Sequence, residues 1–90
     1  MPQAIVDPAE VRRFAANLKR FNADLRAGLA GLHGQLMGLS DTWRDQEHDR
    51  FRQEFESTMQ VVERFLEVSE EHIPFLLRKA ERIEEYLSQR

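Results

Sequence analysis

Histidine, acidic and serine side chains are the groups in this 90-residue sequence that are able to do chemistry. The histidines, His33, His48 and His72, have no second histidine or cysteine three or four residues away, the usual spacing of zinc ligands on a helix. His48 lies in the acidic segment Asp45–Asp49, which lacks the glycine and the distant glutamate of a calcium loop. We therefore predict no metal site. We interpret these acids as the solvated first turn of a helix, where carboxylates complement the helix dipole.

The sequence does not indicate a catalytic site either. No serine forms a recognisable arrangement with histidine and aspartate, and there is no glycine-rich phosphate loop. The acid pairs Glu70–Glu71 and Glu84–Glu85 are typical of solvated helix faces. Without cysteine, the chain can form neither disulfides nor thiolate metal sites. The sequence predicts a protein that is not an enzyme and needs no cofactor.

Trp43, the only tryptophan, stands out because it lies between two amphipathic segments. It follows Ser40-Asp41-Thr42, whose side chains favour turns and caps over helix interiors. Its ring is expected to close the open end of a hydrophobic core. A role in a recognition surface is compatible with that position, and we expect both.

The segment before Trp43 predicts one long helix over residues 8–39. Asp7 is suited to capping it, Pro8 suits the first helical position, and Glu10 completes a capping-box-like pattern. Apolar residues then recur at intervals of three and four, as one face of a helix requires. They are Val11, Phe14, Leu18, Phe21, Leu25, Leu29, Leu32, Leu36 and Leu39.

After a turn over residues 40–45, a second helix is predicted over residues 46–88. Its apolar stripe alternates steps of four and three from Val62 onward, which is typical of a coiled-coil seam. Pro74 removes one backbone hydrogen bond and predicts a kink near Glu70–Ile73. The fold class is therefore all-α, one domain over residues 1–90 that forms an antiparallel two-helix hairpin.

Charge is divided between the two predicted helices. Residues 7–40 contain five bases and three acids, whereas residues 45–90 contain seven bases and twelve acids. Opposite net charges favour antiparallel docking of the halves, within one chain or between chains. Neither half is basic enough for a nucleic-acid groove, so we predict no nucleic-acid partner.

The second helix has more apolar surface than one partner helix can cover. A further stripe, Val61, Phe65, Val68 and Phe75, lies beside the main one. Exposed patches of this kind usually mark an interface, so we predict that two hairpins dimerise into a four-helix bundle. Small residues of the first helix, among them Ala27, Gly31 and Gly34, are predicted to join the dimer interface through a close helix contact, and the alternative is a mobile exposed segment. Both interpretations stay open.

No apolar run approaches the ~20 residues that span a bilayer. Residues 1–7 lack the basic start and apolar core of a signal peptide. We expect a soluble protein, cytoplasmic when synthesised, whose export would have to proceed without a cleaved signal peptide.

Two amphipathic helices joined by Leu39-Ser40-Asp41-Thr42-Trp43-Arg44-Asp45, followed by Phe51-Arg52-Gln53-Glu54-Phe55, resemble the WXG family of roughly hundred-residue proteins. The resemblance covers nearly the whole chain. Members of this family are early-secreted-antigen-like substrates of type VII secretion, so the resemblance implies the same role here. It also implies a homodimer, or a heterodimer with a WXG-like paralogue, exported as a folded pair with Trp43 near the export-recognition surface. It allows a type VII secretion ATPase as a further partner.

Two positions depart from the family pattern. Asp45 replaces the glycine of Trp-x-Gly, where it is able to cap the second helix. Tyr86 begins the C-terminal export signal, but Arg90 stands where the family has an acid. The primary hypothesis is a dimerising, protein-binding partner or substrate of type VII secretion. The alternative is an intracellular coiled-coil adaptor with the same fold that is not exported.

Overall fold

The computed structural model describes residues 6–89, which form an antiparallel hairpin of two long helices. Helix α1 spans Pro8–Gly38, a short 3₁₀ turn spans Leu39–Asp41, and helix α2 spans Gln46–Ser88. The hairpin is a rod with extents of 68 × 20 × 16 Å. The all-α, two-helix hairpin predicted from apolar periodicity is confirmed.

Both helices begin at the aspartates expected to cap them. The Asp7 carboxylate accepts a hydrogen bond from the Ala9 N–H at 2.9 Å, and Pro8 occupies the first helical position. The Asp45 carboxylate accepts from the His48 N–H at 3.0 Å. Each cap satisfies a backbone donor that has no partner within its helix. Pro74 lies inside α2, which continues through it as a single helix.

The two helices pack along a seam whose residues recur at intervals of three and four. In α2 the seam contains the buried residues Leu66, Ser69 and Ala80 and the half-buried residues between and around them. In α1 the buried members are Ala15, Asn22 and Leu36, and the half-buried members are Val11, Leu18, Leu25, Leu29 and His33. The regular spacing keeps one edge of each helix against the other along the rod.

A polar contact lies at mid-height in this seam. The Asn22 amide donates to the Ser69 hydroxyl at 2.8 Å, and both side chains are buried. The pair aligns the middle of α1 with the middle of α2. A buried polar pair of this kind favours one register over its alternatives, because any slip would separate the two groups.

The apolar stripe of α1 divides between two environments. Val11, Leu18 and Leu25 turn toward α2, whereas Phe14 and Phe21 remain more than half exposed. The stripe is wide enough to serve two neighbours, and only one edge of it meets α2. The seam takes Ala15 and Asn22 in place of the two phenylalanines, which stand one residue before them.

Candidate protein-interaction surface

One side of the hairpin carries a row of large exposed apolar side chains, which we call the apolar face. Each of them directly precedes a residue of the seam or its edge, as Phe65 precedes Leu66. Phe65 is 50% exposed, while Leu66 is fully buried. The apolar face comprises Phe14, Phe21 and Leu32 of α1 and Phe51, Val61, Phe65, Val68 and Phe75 of α2.

Antiparallel packing places these residues of both helices on the same side. In two antiparallel helices, the residue before each seam position turns toward one side and the residue after it toward the other. The structure shows this directly near the turn, where Leu32 and Leu39 line one shallow groove with Phe51 and Phe55. The apolar face is therefore a continuous surface contributed by both helices.

The opposite side, the charged face, carries the ion pairs that join α1 to α2. Arg12 donates two hydrogen bonds to the Glu84 carboxylate, at 2.9 and 2.7 Å. Arg26 lies 2.8 Å from Glu70, and His33 Nε2 lies 2.9 Å from the Glu56 carboxylate. In each pair the basic residue belongs to α1 and the acidic residue to α2. These pairs between α1 and α2 are the electrostatic attraction expected from the opposite net charges of the two halves.

The Arg12–Glu84 pair also changes the titration of its members. Hydrogen bonds from the Arg12 guanidinium lower the pKa of the Glu84 carboxyl below its ordinary value, and its positive charge acts in the same direction. The same hydrogen bonds raise the pKa of Arg12. Both side chains are more than 40% exposed, so solvent screening keeps the contribution of the pair to stability small.

The small residues of α1 do not share a face with the exposed apolar residues of α2. Ala27 lines a shallow groove on the charged face together with Arg26 and Glu70. Gly34 directly follows the seam residue His33, which directs it to the same side. Gly31 is exposed, and a Cβ atom added at Gly31 or Gly34 would meet no atom within 4 Å. Within one hairpin these positions are open.

The turn end of the hairpin is closed by an aromatic cluster. Trp43 is half-buried and lies edge-on to His48, with ring centroids 4.9 Å apart, and it approaches Phe51 at 6.4 Å. Asp45 stands between them in sequence and holds the first turn of α2 through its cap. The cluster covers the end of the seam, as a core plug would.

At the other end of the rod, Tyr86 is 66% exposed near the end of α2. Arg90, which takes the acidic position of the family's C-terminal signal, lies outside the described residues. Within residues 6–89 the structure therefore presents Tyr86 to solvent, at the opposite end of the rod from Trp43.

Two buried residues had not been identified from the sequence. Asn22 is 1% exposed and His48 is 3% exposed, and in each side chain one polar atom, Asn22 Oδ1 or His48 Nε2, has no hydrogen-bond partner among residues 6–89. His48 was expected in a solvated acidic turn, but its ring packs against Trp43 instead. Asn22 lies at helical spacing from Ala15 and Leu36, so the sequence did place it on the seam. It was overlooked because the search followed apolar residues only.

Within residues 6–89, no three His, Cys, Asp or Glu side chains gather as a metal site would need. In the same part of the chain, no helical stretch is both long and apolar enough to cross a bilayer.

Comparison with known proteins gives one family and one group of similar structures. Residues 3–86 match the family described as "proteins of 100 residues with WXG". The crystal structure of EsxB, a secreted protein of Bacillus anthracis, superposes with a TM-score of 0.79 at 23% identity, covering 96% of this chain and 98% of that one. A further crystal structure of wild-type EsxB gives 0.78 at 24% identity, covering 93% and 97%. At this identity the likeness shows the fold. A search of curated proteins gives no match.

Proposed function

Because the chain belongs to the family of proteins of 100 residues with WXG, we propose that it is a non-enzymatic partner or substrate of type VII secretion that acts as a dimer. Dimerisation into a four-helix bundle is typical of this family. The observation that carries the proposal is the apolar face. Eight large apolar side chains on one side of the two-helix rod remain 38–70% exposed.

The apolar face has the composition of an interface that excludes water. Its phenylalanines, Phe14, Phe21, Phe51, Phe65 and Phe75, are the kind of side chain that dominates the energetics of association. Fully burying such a side chain from water is worth about 1.5–3 kcal/mol, and about half of that remains for these half-exposed phenylalanines before the costs of association are counted. The charged face has its ion pairs already formed within the chain, so it has less need of a partner.

We place the partner, a second copy or a WXG-like paralogue, on the apolar face. Val61, Phe65, Val68 and Phe75 of α2 would be covered together with the phenylalanines of α1. Ala27, Gly31 and Gly34 would lie outside this contact, because they belong to the charged face or the outer side of α1. The small residues are thus left to the exposed-segment interpretation.

Trp43 and Asp45 at one end and Tyr86 at the other are proposed as the points that the export machinery contacts, including a type VII ATPase. Trp43 is only half-buried, so part of its ring is accessible from outside the hairpin. In an antiparallel pair of rods, the turn of one hairpin would lie beside the Tyr86 end of its partner. That arrangement would bring both elements to each end of the dimer.

Export from the native host tests this proposal. The protein should accumulate in the culture medium of an intact strain and remain in the cells when the type VII ATPase gene is deleted. Retention in the intact strain would contradict an exported role and favour an intracellular adaptor.

Two matched substitutions tie export to the apolar face. Phe65→Glu should abolish export, because it places a charge where the partner excludes water. Leu77→Glu makes a similar change on the charged face, where Leu77 lines a groove with Lys19, and it should be exported normally. Equal export of the two variants would contradict the assignment of the interface.

A further inference from the structure

A histidine stands among the exposed apolar residues of α2. His72 follows Val68 by four residues and precedes Phe75 by three, and it comes directly before the seam residue Ile73. Resting on the proposed function, we infer that His72 makes the dimer sensitive to acid. A second copy covers the apolar face while the imidazole is neutral, and it is released when the imidazole takes up a proton.

The position of His72 means that a partner cannot cover the α2 part of the apolar face without covering this residue. Residues three and four apart are neighbours on one side of a helix, so His72 lies between Val68 and Phe75. Phe65 and Phe75, the large side chains on either side of it, are each 50% exposed, and His72 is exposed as well. A helix that removes both phenylalanines from water therefore also removes the imidazole from water.

Helix α2 has no carboxylate on this face that could pair with a charged imidazole. Within residues 6–89, His72 forms no ion pair. Glu70 belongs to the charged face, where it pairs with Arg26. Glu71 lies about 100° further round the helix, on the side away from α1. The next charged residue that directly precedes a seam position is Lys79, whose like charge adds to the cost of a protonated imidazole.

In the described part of the chain, helix α1 brings no charge to this height of the apolar face either. Asn22 lies beside Ser69, so in the antiparallel hairpin His72 is about level with Lys19. Lys19 lies on the charged face, where it lines a groove with Glu70. The other charged residues near this height follow a seam residue by one or two positions, which turns them to the charged face or to the outer side of α1. They are Arg12, Arg13, Arg20, Asp24 and Arg26.

Coverage of the apolar face therefore favours the neutral form of this histidine. An unpaired charge is costly in a contact that excludes water, whereas a neutral imidazole loses only its hydrogen bonds to water. The dimer thus binds fewer protons than two separate hairpins. Linkage then makes association strongest above the pH range in which histidine side chains change charge, about pH 5–8, and weakens it as the pH falls through that range. Exposed carboxyl groups titrate lower, at about pH 4.

Sedimentation equilibrium of the purified chain at about pH 7.5 and about pH 5 tests the inference. The Kd of the wild-type dimer should rise about tenfold or more between them, since each copy contributes one His72. His72→Gln, which stays polar and uncharged, should dimerise like the wild type at the higher pH and keep that Kd at the lower one. The matched control His33→Gln removes a histidine that pairs with Glu56 on the charged face, and it should keep the full acid sensitivity. Circular dichroism at both pH values should show an intact hairpin.

Three results would overturn the inference, and they differ from failure of the proposed function. If the wild type keeps one Kd at both pH values, or if His72→Gln loses its dimer in acid as the wild type does, His72 does not control association although dimerisation stands. If the wild-type chain is a single subunit at both pH values, no second copy covers His72. The role in export would then still be judged by Phe65→Glu against Leu77→Glu in the native host.

Discussion

Asp45 occupies the position at which the family motif has glycine, and its carboxylate caps α2 by accepting the His48 N–H. The same turn carries the Trp43–His48 contact, so the cap holds the aromatic cluster as well as the helix. A local hydrogen bond thus takes the place of a flexible residue. Aspartate at this position gives the turn less conformational freedom than glycine would, and its cap fixes where α2 begins.

Replacing this cap should have a measurable cost. Asp45→Ala is expected to lower the free energy of unfolding by about 1 kcal/mol, because one backbone donor at the start of α2 loses its acceptor. Asp45→Asn, which keeps an acceptor oxygen, should stay close to the wild type. Urea unfolding followed by circular dichroism measures both. If Asp45→Asn lowered the free energy of unfolding as much as Asp45→Ala does, the carboxylate charge and not the hydrogen-bonded cap would be responsible.

The Arg12–Glu84 pair predicts how stability depends on pH. The pKa of Glu84 is lowered in the folded chain from an ordinary value of 4.5, so its contribution is present above that value and is lost as the pH falls through the lower folded pKa. Glu84→Gln should therefore melt slightly below the wild type at pH 7, with the difference vanishing once the pH has fallen below the folded pKa of Glu84. A difference in Tm that persists there would contradict this account.

At the scale of the helices, the sequence predicted what depends on local chemistry and on period. The caps at Asp7 and Asp45 and the hairpin itself follow from residue types that act within one helix turn or one stripe. Local chemistry does not determine which residues of α1 form the seam. A wide apolar stripe keeps helical spacing whichever of its two edges packs against α2. Which edge meets α2 depends on the other helix, and the register that buries Asn22 against Ser69 is decided between them.

The surface that carries the proposed function was predicted only in part. The second stripe of α2 was visible as apolar residues that one partner helix could not cover. The contribution of Phe14 and Phe21 to this surface could not be predicted, because helical spacing places them in the same apolar stripe as the residues that pack against α2. His48 was missed for a related reason, since its acidic neighbours suggested a solvated turn.

The glycines of α1 allow a test at this scale. Gly34→Ala should raise the free energy of unfolding by about 0.5–1 kcal/mol, because alanine favours a helix interior and an added Cβ meets no atom within the hairpin. Gly31→Ala should behave alike. Thermal unfolding at a fixed protein concentration measures the change. Destabilisation by either substitution would mean that another backbone packs against this side of α1.

The hairpin is a rod 68 Å long and at most 20 Å wide. In this shape each helix has a single neighbour, so half of its circumference or more faces solvent. Short chains bury a smaller fraction of their surface than long ones, and a two-helix rod buries less still. The eight residues of the apolar face make up a large share of the apolar side chains within that exposed surface. Association removes them from water without any change in the fold of the hairpin.

Light scattering of the purified wild-type chain tests this account most directly. Each chain has a mass of 10.6 kDa, and at micromolar concentration we predict a folded species of about twice that mass. Phe65→Glu should shift it to a single chain while circular dichroism still shows helices. A wild-type protein that scatters as a single 10.6 kDa chain and unfolds cooperatively would contradict self-association of this chain through the apolar face.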